Sequence, residues 1–265
     1  MFIDTFLFNG DWITKLRLEY LYDFVDYFYI VESRYTFSGM RKETLFVETY
    51  SDWFEPYKKK IRIIVNEKSP LPNSWDEERS QRDLITHVIL ADMEDQSFNL
   101  AVCDCDEIYD LSKLPSKEEM IVNKTEVIYP QMDLYYYRFT HHVHVEPWTM
   151  PFIIHSDLLK SEPSLNKIRV NKQIHDVAVI PRMIKSGWHF SFFLSVEDIQ
   201  RKIRSFAHTE FNVPHITDKE EIERRIAGGL DVFSRINLNI TIEPLTNQFP
   251  DLFKKYHLEL IDLQR

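Results

Sequence analysis

The sequence predicts an α/β protein: a mostly parallel sheet with helices on both faces, folded as one domain over residues 1–265. Three observations predict it. Strand and helix periodicities alternate through the first half of the chain. An acidic cluster stands at the carboxyl end of a strand, where open α/β sheets hold their ligands. No Pro- or Gly-rich linker, internal repeat or low-complexity segment divides the chain.

The elements follow in order. Phe2 to Phe8 reads as a strand, and Asp11 to Phe24 carries Ile13, Leu16, Tyr20 and Phe24 at helical spacing. Tyr27 to Val31 is a second strand that ends at Glu32 and Ser33, and Ile61 to Val65 a third. Trp75 to Asp92 reads as a long helix and leads into the strand at Leu100 to Cys103. Beyond Asp110 the pattern loosens. Met120 to Tyr129 and Leu134 to Val145 look like strands, and Ser195 to His208 like a helix that opens on a Ser195/Asp198 capping box. Residues up to about 112 would form a ligand-binding half, and those from about 113 a second half with a C-terminal extension.

The stretch NLAVCDCDEIYD, Asn99 to Asp110, poses an electrostatic problem. On a strand, Asp104 and Asp106 project to one side and Cys103 and Cys105 to the other. Two carboxylates about 6 to 7 Å apart repel by roughly 2 to 3 kcal/mol at an effective dielectric near 20. Solvent, basic side chains from elsewhere, or a divalent cation could offset this, and the strand-end setting favours the cation. Phosphatases that use Asp-x-Asp carry it after their first strand, followed by Thr or Val. Here Glu107-Ile108 follows.

Composition removes several classes of function. Hydrophobic residues make up 44% and charged residues 28%, which suits a globular chain, and a net charge of −10 argues against a general nucleic-acid binder. Two cysteines cannot build a four-sulfur zinc site or a disulfide framework. The N-terminus lacks the basic region of a signal peptide, and no apolar run approaches the ~20 residues that span a bilayer. The expectation is a cytoplasmic protein, with peripheral attachment to a membrane left open. Walker, Gly-x-Gly-x-x-Gly, Gly-x-Ser-x-Gly and His-Glu-x-x-His motifs are missing.

Other candidates carry two readings each. Arg82, about 60° from Ile85 around its helix, borders the buried face. It would meet a diphosphate or carboxylate near the site, or pair with Glu78. Glu32 would face a ribose or base, or be a surface acid. His142 and His144 share a strand face, but no carboxylate shares their spacing, so they read as ordinary histidines. Arg201, Lys202 and Arg204 read as the wet face of a helix.

The segments DTFLFNGDWITKLRLEYLYDFVDYFYIVESRYTFSG, ERSQRD, DCDEI and GWHFSFFLSVEDIQRKIRSFAHTEFN together resemble the family 17 glycosyltransferases. The run from Val31 to Thr36 and the run Gly187-Trp188-His189 are the specific parts. The resemblance covers about Asp4 to Asn212, with little to match between Lys113 and Ile184. It implies a GT-A-like, Rossmann-type fold, a UDP-sugar donor such as UDP-GlcNAc, a glycan acceptor, a Mn2+ or Mg2+ ion, and inversion at the anomeric carbon. Asp106 would ligate the metal directly, with Asp104 and His189 completing its surroundings. Asn9, Glu32, Arg82, Asp104 and Trp188 would bind the donor, and Glu197 would be the catalytic base. A phosphohydrolase using the same acids and a non-catalytic glycan-binding module are the alternatives.

Overall fold

The computed structural model describes residues 1–264, except 95, 123, 163, 173–179, 236–237 and 246–248. The first half runs β1 (Phe2–Leu7), α1 (Thr14–Leu21), β2 (Tyr27–Ser33), α2 (Phe46–Thr49), α3 (Ser51–Phe54), β3 (Ile61–Asn66), α4 (Ser74–Met93) and β4 (Asn99–Asp104). Next come β5 (Glu107–Ile108), α5 (Lys117–Val122), β6 (Glu126–Tyr136), β7 (His141–Trp148), β8 (Phe152–His155), α6 (Ser156–Ser161) and α7 (Leu165–Asn171). The chain closes with β9 (Ile180–Ser191), α8 (Val196–Ser205), α9 (Lys219–Gly228), β10 (Asn239–Ile242) and α10 (Asp251–Leu263).

One sheet holds all these strands, in the order β10-β7-β6-β8-β4-β1-β2-β3, with β9 joined to β6 and to β5. The β4-β1-β2-β3 side is parallel throughout, as the alternation predicts. The second half mixes antiparallel ladders with the long parallel pairing of β6 and β9.

Strand alternation sends side chains into two layers. Phe2, Phe6, Phe28, Ile30, Ala101 and Cys103 pack on one face with Leu18 and Leu21 of α1 and Phe54 of α3. Ile3, Tyr29, Val31, Leu100 and Val102 pack on the other with Ile85, Ile89 and Met93 of α4 and with Leu165 and Ile168 of α7. A third, aromatic-rich cluster joins β6 and β9 to α8 and α10. Asp4 interrupts the apolar face of β1 and is wholly buried, as is its partner Arg17 of α1. The pair is bidentate, with Nε to Oδ2 at 2.8 Å and Nη2 to Oδ1 at 2.5 Å. Both charges are therefore met inside the core.

Two expected strands hold in part, Met120 to Tyr129 only from Glu126 onward and Leu134 to Val145 as two separate pieces. Residues 117–122 are helical because Ser116 accepts the N–H of Glu119 at 3.1 Å and starts a turn before the apolar run. The expected strand from Leu134 to Val145 is broken at Arg138 to Thr140, where the chain turns to pair β7 against β6. Among the described residues, no helix is long and apolar enough to cross a membrane.

Candidate active site

A cavity of about 480 Å³ opens beyond the carboxyl ends of β1 and β4. Asn9 and Asp11, which follow β1, line it, together with Asp104 at the end of β4 and Asp106 in the turn to β5. From α4 come Glu78, Gln81 and Arg82. The second half adds Tyr136, Trp148, His189, Phe192, Lys202 and Arg235.

The turn that presents the acids is fixed from beneath. Glu107 is fully buried and accepts the Asp104 N–H at 2.7 Å. Arg169 of α7 donates to both Glu107 oxygens, at 3.0 and 2.7 Å, and Trp148 Nε1 donates to one of them. Arg17 donates to the carbonyl of Glu107, so the core ion pair with Asp4 also buttresses the site. β5 pairs with β9 so that Glu107 lies opposite His189 and Ile108 opposite Trp188. That register brings the Gly187-Trp188-His189 run against the acid triplet. Gly187 has φ +116°, and a Cβ there would lie 2.5 Å from the Ile108 carbonyl oxygen, so only glycine lets β9 approach this closely.

The two aspartates have different surroundings. Asp104 accepts from Arg82 Nη2 at 3.0 Å and from Arg169 Nη2 at 2.7 Å. Burial opposes its charge, but Arg169 and Arg82 together outweigh that and hold its carboxyl well below the usual range. Asp106 accepts from Lys202 Nζ at 3.1 Å, and its other oxygen lies 3.6 Å from His189 Nε2. Here burial wins over Lys202 and His189 and pushes the carboxyl up. Lys202 also donates to Asp11 at 2.9 Å, and Asp106 and Asp11 together overcome its burial and keep it charged. Asp106 is thus the more easily protonated of the two aspartates. Basic side chains offset the repulsion that the sequence poses.

Five expected site residues line the cavity: Asn9, Arg82, Asp104, Asp106 and His189. Arg82 takes both of its readings at once, since Nη2 also meets Glu78 at 2.9 Å. Three expectations are corrected. Glu32 is fully buried, and its carboxylate accepts Lys42 Nζ and the N–H groups of Phe46 and Val47, each at 2.8 Å. It anchors the start of α2 instead of facing the cavity. Trp188 is buried among Tyr20, Phe249 and Phe253. Glu197 points to solvent and pairs with Lys219 at 2.5 Å.

Asp104 also departs from its expected part as a metal ligand, because a guanidinium engages each of its oxygens. The groups that suit a divalent cation are Asp106 and His189. Two ligand atoms of one ion, each about 2.1 Å from it, stand roughly 3 to 3.4 Å apart, close to the 3.6 Å found here. His189 Nδ1 is buried without a hydrogen-bond partner, and Nε2 is the ring nitrogen turned toward Asp106. A carboxylate and an imidazole would leave positions open to a ligand's oxygens and to water.

Sequence reasoning missed Arg169, Lys202, Asp11 and Trp148. For Lys202 a signal existed, since it lies about 60° from Ile199 around α8 and so borders the apolar stripe. Asp11 follows the first strand directly, as Asn9 does. Arg169 and Trp148 lie in the stretch that matched little, and nothing in their local pattern marks them.

A parallel α/β core whose strand ends open on a cavity lined by acidic and basic groups is the usual setting of a ligand site in this class of fold. The family model for glycosyltransferase family 17 matches residues 2–260, and the chain belongs to that family. It is a glycosyltransferase, acting with a sugar donor and a glycan acceptor. No curated protein matches. Among solved structures, a Bacillus anthracis protein assigned as a glucose-1-phosphate thymidylyltransferase, in complex with sucrose, aligns with a TM-score of 0.35 and 10% identity. The alignment covers 71% of this chain and 87% of that one.

Proposed function

We propose that this glycosyltransferase moves a sugar, GlcNAc first among the candidates, from a UDP-linked donor to a glycan hydroxyl with inversion at the anomeric carbon. A Mn2+ or Mg2+ ion would be held by Asp106 and His189 and would supply charge neutralisation for the departing nucleotide. The observation that carries the reading is the meeting of Asp106, His189 and Lys202 in one cavity at the strand ends.

The chain's own residues have distinct tasks in this reading. Lys202, kept charged by two carboxylates, stabilises negative charge on a diphosphate without any reorganisation when it develops. Arg82 and Arg169 keep Asp104 ionised, and Asp104 is then an acceptor for donor hydroxyls. Asn9 and Lys42, on the cavity wall beside Tyr35 and Phe37, bind the nucleoside end of the donor. Trp148, with its ring 4.6 Å from that of His189, offers a face to a sugar. Inversion needs a carboxylate to take the acceptor's proton. Glu78 on the cavity wall is our choice, since its carboxylate, although paired with Arg82, is 21% exposed, whereas that of Asp11, paired with Lys202, is 6% exposed.

A panel of UDP-sugars assayed for UDP release, with and without Mn2+ and with simple sugar acceptors, tests this. UDP-GlcNAc should give metal-stimulated release, and Asp106→Ala should lower it by about 10²- to 10³-fold while the circular dichroism spectrum stays the same. Full activity in Asp106→Ala, or no release from any UDP-sugar, defeats the reading.

A further inference from the structure

We propose that His142, His144 and Glu243 form a surface site for a transition-metal ion of the zinc type, separate from the cavity. His142 and His144 project from the same face of β7, with ring centroids 4.4 Å apart. β10 pairs antiparallel to β7, with Asn239 opposite His144 and Thr241 opposite His142. Glu243 follows β10, and its N–H donates to the Thr140 carbonyl at 2.8 Å, which returns its side chain to the two imidazoles. Its Oε1 lies 3.9 Å from His142 Nδ1 and 3.6 Å from His144 Nε2. Among the described residues, this is the one group of three such side chains whose ligand atoms all lie within 4.8 Å of one another.

The donor set and its setting fit such an ion. Two imidazoles and a carboxylate make the three-ligand set of an open zinc site, with a fourth position left to solvent. Tetrahedral ligands about 2.0 to 2.2 Å from an ion stand roughly 3.3 to 3.5 Å apart, so the observed gaps close with small side-chain rotations. Tyr135 stacks on His142 at 5.0 Å and 25°, which orients that ring. Thr241 Oγ1 donates at 2.8 Å to Glu243 Oε1, the oxygen that faces both imidazoles, and so fixes where that carboxylate sits. It also holds His144 Nε2 at 2.7 Å, a contact the ion would replace. β10 is the edge strand, so a bound ion would clip the sheet's edge to β7, whose Val145 and Trp148 line the cavity.

The test is calorimetric titration of Zn2+ into the full chain carrying Asp106→Ala, which disables the cavity's own cation pair. One ion per chain should bind. Adding Glu243→Gln, or His142→Asn with His144→Gln, should weaken binding by about tenfold to hundredfold or more, while His87→Gln, on the exposed side of α4, should leave it unaltered. Zn2+ should also slow hydrogen exchange along β10. No binding to the Asp106→Ala chain, equal affinity in the double histidine variant, or slowed exchange only outside β7 and β10 would overturn the proposal.

Discussion

Around Asp104, on the cavity floor, two guanidinium groups meet one carboxylate, and Arg169 continues beneath it to the buried Glu107. Around Asp106, on the wall, one ammonium and one imidazole with an unpartnered nitrogen meet the other. The residues are two positions apart, yet Asp104 is held ionised and Asp106 is pushed toward its protonated form. The floor is built for stability, with its charges paired. The wall keeps an unmet demand for positive charge, which is how a binding surface differs from an architectural one.

Breaking the floor should cost the most. Arg169→Met would leave Glu107 as an unpaired charge in the interior, and loss of one partner of a buried pair destabilises by about 3 to 5 kcal/mol. Urea unfolding would measure it. The same change at the wall, Lys202→Met, should cost less, because Asp106, already pushed toward its protonated form, can neutralise when its partner is lost. Its effect should fall on the KM for the donor. Equal destabilisation by the two substitutions would erase the distinction between floor and wall.

Acid titration sharpens the contrast with a smaller effect. Asp104 is depressed in the fold, so its stabilisation is present above its unfolded pKa of about 3.9 and is lost as the pH falls through the folded value. Its carboxylate is 35% exposed, which keeps the effect modest. Asp106 is raised, so its contribution is present at low pH and lost as the pH rises through its folded value. In chelator-treated protein at neutral pH, Asp104→Asn should lower the Tm and Asp106→Asn should raise it, each by about 2 °C. Shifts of one sign in both variants would contradict the assignment.

Floor and wall were each legible in part: Asp104 and Arg82 on one and Asp106 and His189 on the other were expected, while Arg169 and Lys202 were not. Strand alternation put Asp104 and Asp106 together at the carboxyl end of β4, and helical phase put Arg82 at the border of the buried face of α4. Both follow from local geometry, which the parallel half of the sheet obeys. The wall depends on contacts distant in sequence: β9 crossing against β5, and α8 turning Lys202 inward. Gly187 hinted at the first, since its conformation and the 2.5 Å approach forbid any other residue. The carboxylate beside the histidines of β7 was hidden for the same reason, since Glu243 follows β10 and arrives through sheet pairing that no spacing rule foresees.

Glu197 gives the smallest effect and a control for both regions. The family resemblance makes it a candidate base, but its helix position and the ion pair with Lys219 direct it to solvent, away from the floor and the wall alike. Lys219 holds its carboxyl below the usual range, which suits a surface ion pair and makes a poor proton acceptor. Glu197→Gln should therefore change kcat for sugar transfer by less than about twofold, whereas Glu78→Gln should lower it by about 10²-fold or more. The reverse order would mean that α8 swings during turnover to carry Glu197 into the cavity. Lys202, on the same helix, would then have to leave Asp106 and Asp11 in the same movement.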